Sequence, residues 1–337
     1  MPITSNSKTS NLFNIDTVNI LLMLGALLVS IKMPFNSFLI SYAVLGPLHY
    51  LTEIFWLDKQ SFYLHQKRDY KWLVFFGIIT TLLALYAYTL PFKSPIIIQN
   101  FKYLYSASIF IAFIAAISFI LFNDNKNKII LISGGILSLF WLFKNQNFNL
   151  FFGFFLATFI HVGVFTGLFI LLGALKNKSK TGYFSLIIYL LCIISVFIIP
   201  INIQAISISA LEENSITKSG FASLNATISN FLHGSQSVKF NLHSEISIRI
   251  QCLIAFVYTY HYLNWFSKVE IIKWSKVSSS IKLFTLVGWI ISVVIYFINY
   301  QVGILTLFAL SILHVFLEFP LNIISIKSIY SEVKNRI

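Results

Sequence analysis

Residues 148–173 read FNLFFGFFLATFIHVGVFTGLFILLG, a run of 26 residues with one histidine, His161, and no Asp, Glu, Lys or Arg. As a helix such a run extends about 39 Å at 1.5 Å per residue, more than the ~30 Å hydrocarbon core of a bilayer. Runs of the same kind recur throughout the chain. Ten segments suit a spanning helix: 17–31, 35–57, 72–91, 103–122, 129–143, 148–173, 183–202, 248–266, 281–299 and 302–326. The fifth is the weakest, because it is short and holds Gly134-Gly135. The whole chain is 57% hydrophobic and 10% charged, with a mean hydropathy of +0.81. Soluble domains carry roughly 25% charged residues, and membrane β-barrels alternate in segments of about 10 residues. The pattern predicts an all-α fold, a polytopic membrane helical bundle of about ten transmembrane helices, forming one integral membrane domain over residues 1–337.

The polar remainder suggests how the bundle is oriented. Residues 1–16 show no basic segment followed by a small-residue cleavage site, so the first apolar run is expected to remain as a spanning helix. With ten spans both termini share one side. Of the 24 Lys and Arg residues, seven fall opposite: Lys32, Lys93, Lys102, Lys144, Lys218, Lys239 and Arg249. The other seventeen share the side of the termini, and basic residues favour the cytoplasm. Both termini are therefore expected inside, and the long Ser- and Asn-rich loop at about 203–245 outside, either as a cap or surface helix or as a loosely packed loop. Asn225-Ala226-Thr227 in that loop matches the glycosylation pattern, a short match that is common by chance. The net charge of +13 is spread over many short loops, with no basic module for nucleic acid. Cys192 and Cys252 lie in apolar runs as small core residues.

Four of the seven histidines fall inside spanning segments: His49, His161, His261 and His314. Ionisable groups in hydrocarbon are costly and usually face a bundle interior, where they mark function. All four stand on even-numbered spans, about 8, 12, 5 and 12 residues from the inner ends, within a slab on the order of 10 Å thick. Common depth is a requirement for one shared metal site. Each alone also has a plain reading, as a neutral residue hydrogen-bonded to a neighbouring helix. Glu53 and Glu318 follow His49 and His314 by four residues, on the same helical face. Either carboxylate can bind a metal or accept the proton of a ligating imidazole on a neighbouring helix. Glu53, near the inner end, can also simply reach the interface. Imidazole with carboxylate suits Fe(II) or another divalent metal. The eighth span adds Tyr260 and Asn264 beside His261, as candidates to orient a ligand or substrate, although aromatic residues near helix ends also serve as anchors. His65, His233 and His243 lie in loops and are expected to be solvated.

Four short motifs carry a resemblance. Gly46-Pro47-Leu48-His49-Tyr50-Leu51-Thr52-Glu53 is similar to G-L-P-H-G-x-x-D, and Phe159-Ile160-His161-Val162-Gly163 to I-I-H-F-G. Tyr260-His261-Tyr262-Leu263-Asn264-Trp265-Phe266-Ser267 is similar to I-H-x-x-x-H-F-S, and Leu313-His314-Val315-Phe316-Leu317-Glu318 to P-H-x-x-x-D. In that order, across residues 46–318, the chain resembles the Brp/Blh family of bacterial and archaeal membrane β-carotene 15,15'-dioxygenases. Both family aspartates are glutamates here, and Trp265 stands where the family has a second histidine. His314 is then the candidate fourth ligand, or the site is three-His with an open position.

The resemblance implies a non-haem Fe(II) oxygenase of a bacterial inner membrane. It would use O2 to cleave a carotenoid or related isoprenoid double bond, giving aldehydes such as retinal. Its partners would be the lipophilic substrate drawn from the bilayer, O2 and membrane lipids. Three alternatives compete. A transporter could relay protons through the His–Glu pairs, favoured by helices broken at midplane. A bis-His haem protein could use the same four histidines. A membrane di-iron hydroxylase would need about eight clustered histidines, which this chain lacks.

Overall fold

Backbone N–H and C=O groups in hydrocarbon must be satisfied within the segment, which long apolar runs achieve as α-helices. The computed structural model describes residues 15–89, 95–143, 145–202, 206–218, 221–232, 241–268 and 273–336. Among these the chain is 89% helix with no strand. Helix α1 spans Ile15–Lys32, α2 Pro34–Ile40, α3 Gly46–Lys59, α4 Tyr70–Thr89, α5 Pro95–Leu121 and α6 Asn125–Leu142. Then follow α7 at Gln146–Leu150, α8 at Thr166–Asn177, α9 at Lys180–Ile198, α10 at Ala210–Lys218 and α11 at Phe221–Leu232. The last three are α12 at Glu245–Phe266, α13 at Ser279–Ile298 and α14 at Tyr300–Lys334.

Two of the spans are interrupted by wider turns. A π-helical turn, Ser41–Leu45, joins α2 to α3, with the Gly46 N–H bonded to the Ser41 carbonyl. Pro47 explains its place: a proline has no N–H for the carbonyl four residues back, and the wider turn absorbs the mismatch. Gly46 is also close-packed, since a Cβ there would stand 3.1 Å from the Tyr50 hydroxyl and 3.3 Å from that of Tyr262. A longer π segment, Phe151–Phe165, joins α7 to α8 and carries His161. Pro320, by contrast, sits inside the continuous 35-residue α14.

Among the described residues, eight helical runs are long and apolar enough to cross a membrane. They comprise α1, α2 with α3, α4, α5, α7 with α8, α9, α13 and α14. The other two expected spans, 129–143 and 248–266, are helical as α6 and α12 but lie outside this set by composition. For α12 the physical reason is its position. It packs against α1, α2, α3, α9, α11 and both π segments, and every residue from Ile250 to Tyr262 is buried. A helix screened by other helices can carry Gln251, three tyrosines and a histidine where a lipid-facing helix cannot. Helix α6 starts with Asn-Lys-Asn-Lys and packs on α5, with Gly135 against Ile114.

The region expected as a long loop contains α10 and α11, and α11 packs against α12. Its Leu224, Asn225, Ile228 and Ser229 form the buried face. Phe221 meets Phe38 and Tyr42 edge-on, with ring centroids 4.5 and 4.9 Å apart. Burying Leu224 and Ile228 contributes about 1.5–3 kcal/mol each. The glycosylation match fails here: Asn225 is fully buried and its amide donates to the Ser247 carbonyl at 2.7 Å. His65 and His243 are exposed, the former bonded to the Ile120 carbonyl and the latter 3.7 Å from Glu213. His233 lies outside the described residues.

Candidate metal centre

Four separate elements bring the intramembrane histidines together. His49 comes from the first turn of α3, His161 from the long π segment, His261 from α12 and His314 from α14; none is more than 7% exposed. Their rings form a closed circuit, with centroids 4.8 Å apart for His49–His261, 5.1 Å for His261–His161, 5.1 Å for His161–His314 and 5.5 Å for His314–His49. The nitrogens meet in pairs. His261 Nε2 lies 3.1 Å from His49 Nε2, and His161 Nε2 lies 3.2 Å from His314 Nε2.

The protons around this circuit can be counted. Thr166 Oγ1 lies 2.8 Å from the Val162 carbonyl, which takes its single hydrogen, and 2.9 Å from His261 Nδ1. The hydroxyl can then only accept from that nitrogen, so His261 carries its proton on Nδ1 and points the Nε2 lone pair at His49 Nε2. Glu53 Oε2 approaches the same His49 Nε2 to 3.1 Å. One N–H cannot serve both. Across the circuit Glu318 Oε2 lies 3.2 Å from His161 Nδ1, a contact between helices that favours the tautomer with Nε2 facing inward. The two carboxylates thus differ: Glu53 reaches an inward-facing nitrogen on its own helix, and Glu318 backs a histidine on another.

Both carboxylate contacts are off the line of a hydrogen bond. Glu53 Oε2, Glu318 Oε2 and the Nδ1 atoms of His49, His161 and His314 have no hydrogen-bond partner, all deep in the protein. Buried polar atoms are rarely left so; of these, Glu53 Oε2 is the one that approaches an inward-facing nitrogen, 3.1 Å from His49 Nε2. The residues fit a divalent cation. With imidazole nitrogens at about 2.0–2.1 Å from a metal, neighbouring ligand atoms lie about 3.0 Å apart at right angles and about 3.4 Å apart in a tetrahedron. The two pairs here, at 3.1 and 3.2 Å, fall between. The set whose ligand atoms all lie within 4.8 Å of one another is narrower than the four histidines: His49, Glu53 and His314.

The other expected residues take different places. Tyr260 faces Tyr189 and Phe256, with centroids 5.6 and 6.1 Å away, and is not brought to the histidines. Asn264 is buried one turn beyond His261, its Oδ1 unpartnered, and does not line the cavity beside the circuit. Trp265 packs edge-on against His49 at 5.4 Å and donates its N–H to Thr52 at 2.9 Å, so it supports the site without offering a lone pair. Two tyrosines that sequence reasoning missed are close. Tyr50 stacks on His314 at 4.1 Å, Tyr262 lies 5.3 Å from His49, and their hydroxyls bond each other at 2.9 Å. Adjacency in sequence to His49 and His261 was their only signal, and neighbours on a helix point about 100° apart. A cavity of about 120 Å³ opens beside the centre, lined by His161, His261, His314, Tyr50, Tyr262 and Ser311 among others.

No protein-family model matches the chain, and no curated protein or solved structure matches it either. The functional reading therefore rests on the site itself.

Proposed function

We propose that this chain is a membrane-embedded oxygenase that holds Fe(II) at His49, His161, His261 and His314 and cleaves a double bond of a carotenoid or related isoprenoid with O2, giving aldehydes such as retinal. The observation that carries the reading is the convergence of four imidazoles, with inward nitrogens paired at 3.1 and 3.2 Å, in a buried, aromatic-walled setting. Bound iron would supply the O2 chemistry that no side chain possesses. Thr166 holds the His261 ring through its hydroxyl, Glu318 stands 3.2 Å from His161 Nδ1, and Glu53 is placed to neutralise a cation or to bind it. Tyr50 and Tyr262 line the cavity alongside His161, His261 and His314. At about 120 Å³ the cavity holds only part of a long polyene. The wider proposal includes about ten spans in one domain, both termini cytoplasmic, and a bacterial inner membrane whose lipids deliver the substrate.

Two competing readings fit less well. Neighbouring imidazoles in the circuit pack at 4.8–5.5 Å, which leaves no gap for a porphyrin between them and disfavours a bis-His haem. Pro320 sits inside a continuous helix, and at Pro47 the chain stays helical through a single π turn, unlike the unwound helices of a transporter site.

The test has two stages. Purified wild type should contain close to one iron, or another divalent metal, per chain, and a His161→Ala, His261→Ala double variant should contain almost none. Equal, near-zero iron, copper and zinc in both would overturn the shared site. Iron-loaded protein given β-carotene should then form retinal; loaded protein that forms no aldehyde from β-carotene or from other polyenes would overturn the reaction.

A further inference from the structure

Helices α4 and α6 both pack on α5, and both begin at the same side of the bundle. At that end they are clamped together: Lys128 near the start of α6 donates to Asp69, just before α4, at 2.6 Å, with both side chains nearly buried. Beyond the clamp they diverge, leaving a cleft of about 840 Å³ with Phe119 of α5 among its lining residues. The two walls follow the same order. Arg68 and Lys71 stand at the basic end, and Trp72 and Phe75 follow along α4. Asn125 stands at the same end of α6, and Ile129, Ile132 and Ile136 follow at helical spacing. Trp72 is 56% and Ile136 48% exposed.

The charges at this end are not balanced locally. Asp69, the only acidic residue lining the cleft, is engaged by Lys128. Arg68 donates its Nε–H to Gln66 at 3.0 Å, and both Arg68 and Lys71 are exposed. The cleft is therefore amphiphilic along its length, cationic at the membrane surface and apolar toward the midplane. An occupant must match both ends. We propose that it is a built site for one anionic phospholipid, its phosphate at Arg68 and Lys71 and an acyl chain along Phe75, Ile132 and Ile136. Clusters of basic residues at the ends of spanning helices recognise anionic headgroups in this way. The lipid would fill the gap between α4 and α6, two helices that otherwise meet chiefly through α5. This site is separate from the histidine centre and does not depend on the oxygenase reading.

The full chain in nanodiscs of equal phosphatidylglycerol and phosphatidylcholine tests this by native mass spectrometry after release. Wild type should retain one phosphatidylglycerol per chain in preference to phosphatidylcholine. Arg68→Gln with Lys71→Gln should lower that preference about 30-fold, the weight of two basic residues at a membrane surface. Ser133→Trp, which fills the apolar end and keeps every charge, should also lose the lipid, whereas diffuse surface attraction would survive it. Lys327→Gln with Lys334→Gln should retain it. The proposal is overturned if both lipids are retained equally, if either cleft variant keeps the preference, if inorganic phosphate displaces the lipid, or if a second copy of the chain is found in place of lipid.

Discussion

Valine in place of Thr166 keeps the shape of the side chain and removes one oxygen. That oxygen is the acceptor for His261 Nδ1, at 2.9 Å, in a region where Thr166 is 1% and His261 7% exposed. The stranded N–H has no water to turn to, which costs about 1–3 kcal/mol. The imidazole can escape by moving its proton to Nε2, but that withdraws the lone pair aimed at the centre. Either route weakens metal binding, and loss of such an outer partner typically costs 10–100-fold in affinity. The assay is competition against a chromophoric chelator in detergent, for wild type, Thr166→Val and Thr166→Ser. Serine retains the hydroxyl and should stay within a few-fold of wild type. Valine binding metal as tightly as wild type, or serine and valine weakening it equally, would refute the tautomer argument.

Three further outcomes follow from the packing. Removing one partner of the buried Lys128–Asp69 pair, as in Lys128→Met, should destabilise by about 3–5 kcal/mol, whereas Lys128→Met with Asp69→Leu should recover most of the loss in thermal melts. Gly303→Ala drives a Cβ into the Tyr296 ring and should cost about 1–3 kcal/mol, while Gly134→Ala, with nothing within 4 Å, should stabilise by about 0.5–1 kcal/mol. Asp124 caps α6, and the Asn127 backbone N–H holds its carboxyl below the ordinary value of 3.8. A depressed folded value means the cap's contribution is complete above that ordinary value and is lost as pH falls through the lower one; Asp124→Asn should flatten this part of the pH–stability curve.

Reading depth from the spans was enough to suggest that His49, His161, His261 and His314 could meet, because a helix converts residue count into height. Azimuth is what that reading lacked. Tyr260 and Tyr262 stand on either side of His261 in sequence, yet only Tyr262 faces the cavity, and nothing in the chain of letters says which. The π segment at Phe151–Phe165 turns His161 by an amount that a regular helix would not, and its Phe- and Gly-rich sequence has no marker for it; Pro47 was a marker for the shorter one. The span expected at 248–266 is present as α12 but is less apolar than its neighbours, because burial by other helices relaxes the demand for apolar side chains. The two glutamates looked equivalent by spacing, and they separate only when Glu318 is seen to reach across to His161.

The enclosure of α12 also orders the assembly of the protein in time. A helix carrying Gln251, Tyr258, Thr259, Tyr260, His261, Tyr262 and Asn264 is a poor passenger for bare lipid. It becomes stable only against partners that already stand in the membrane, and α1, α2 and α3, which wrap it, are synthesised long before it. His49 therefore waits in the bilayer for His261, and the centre closes only when α14 brings His314 at the end of the chain. A ribosome stalled after α13 would leave three histidines in place and the circuit open.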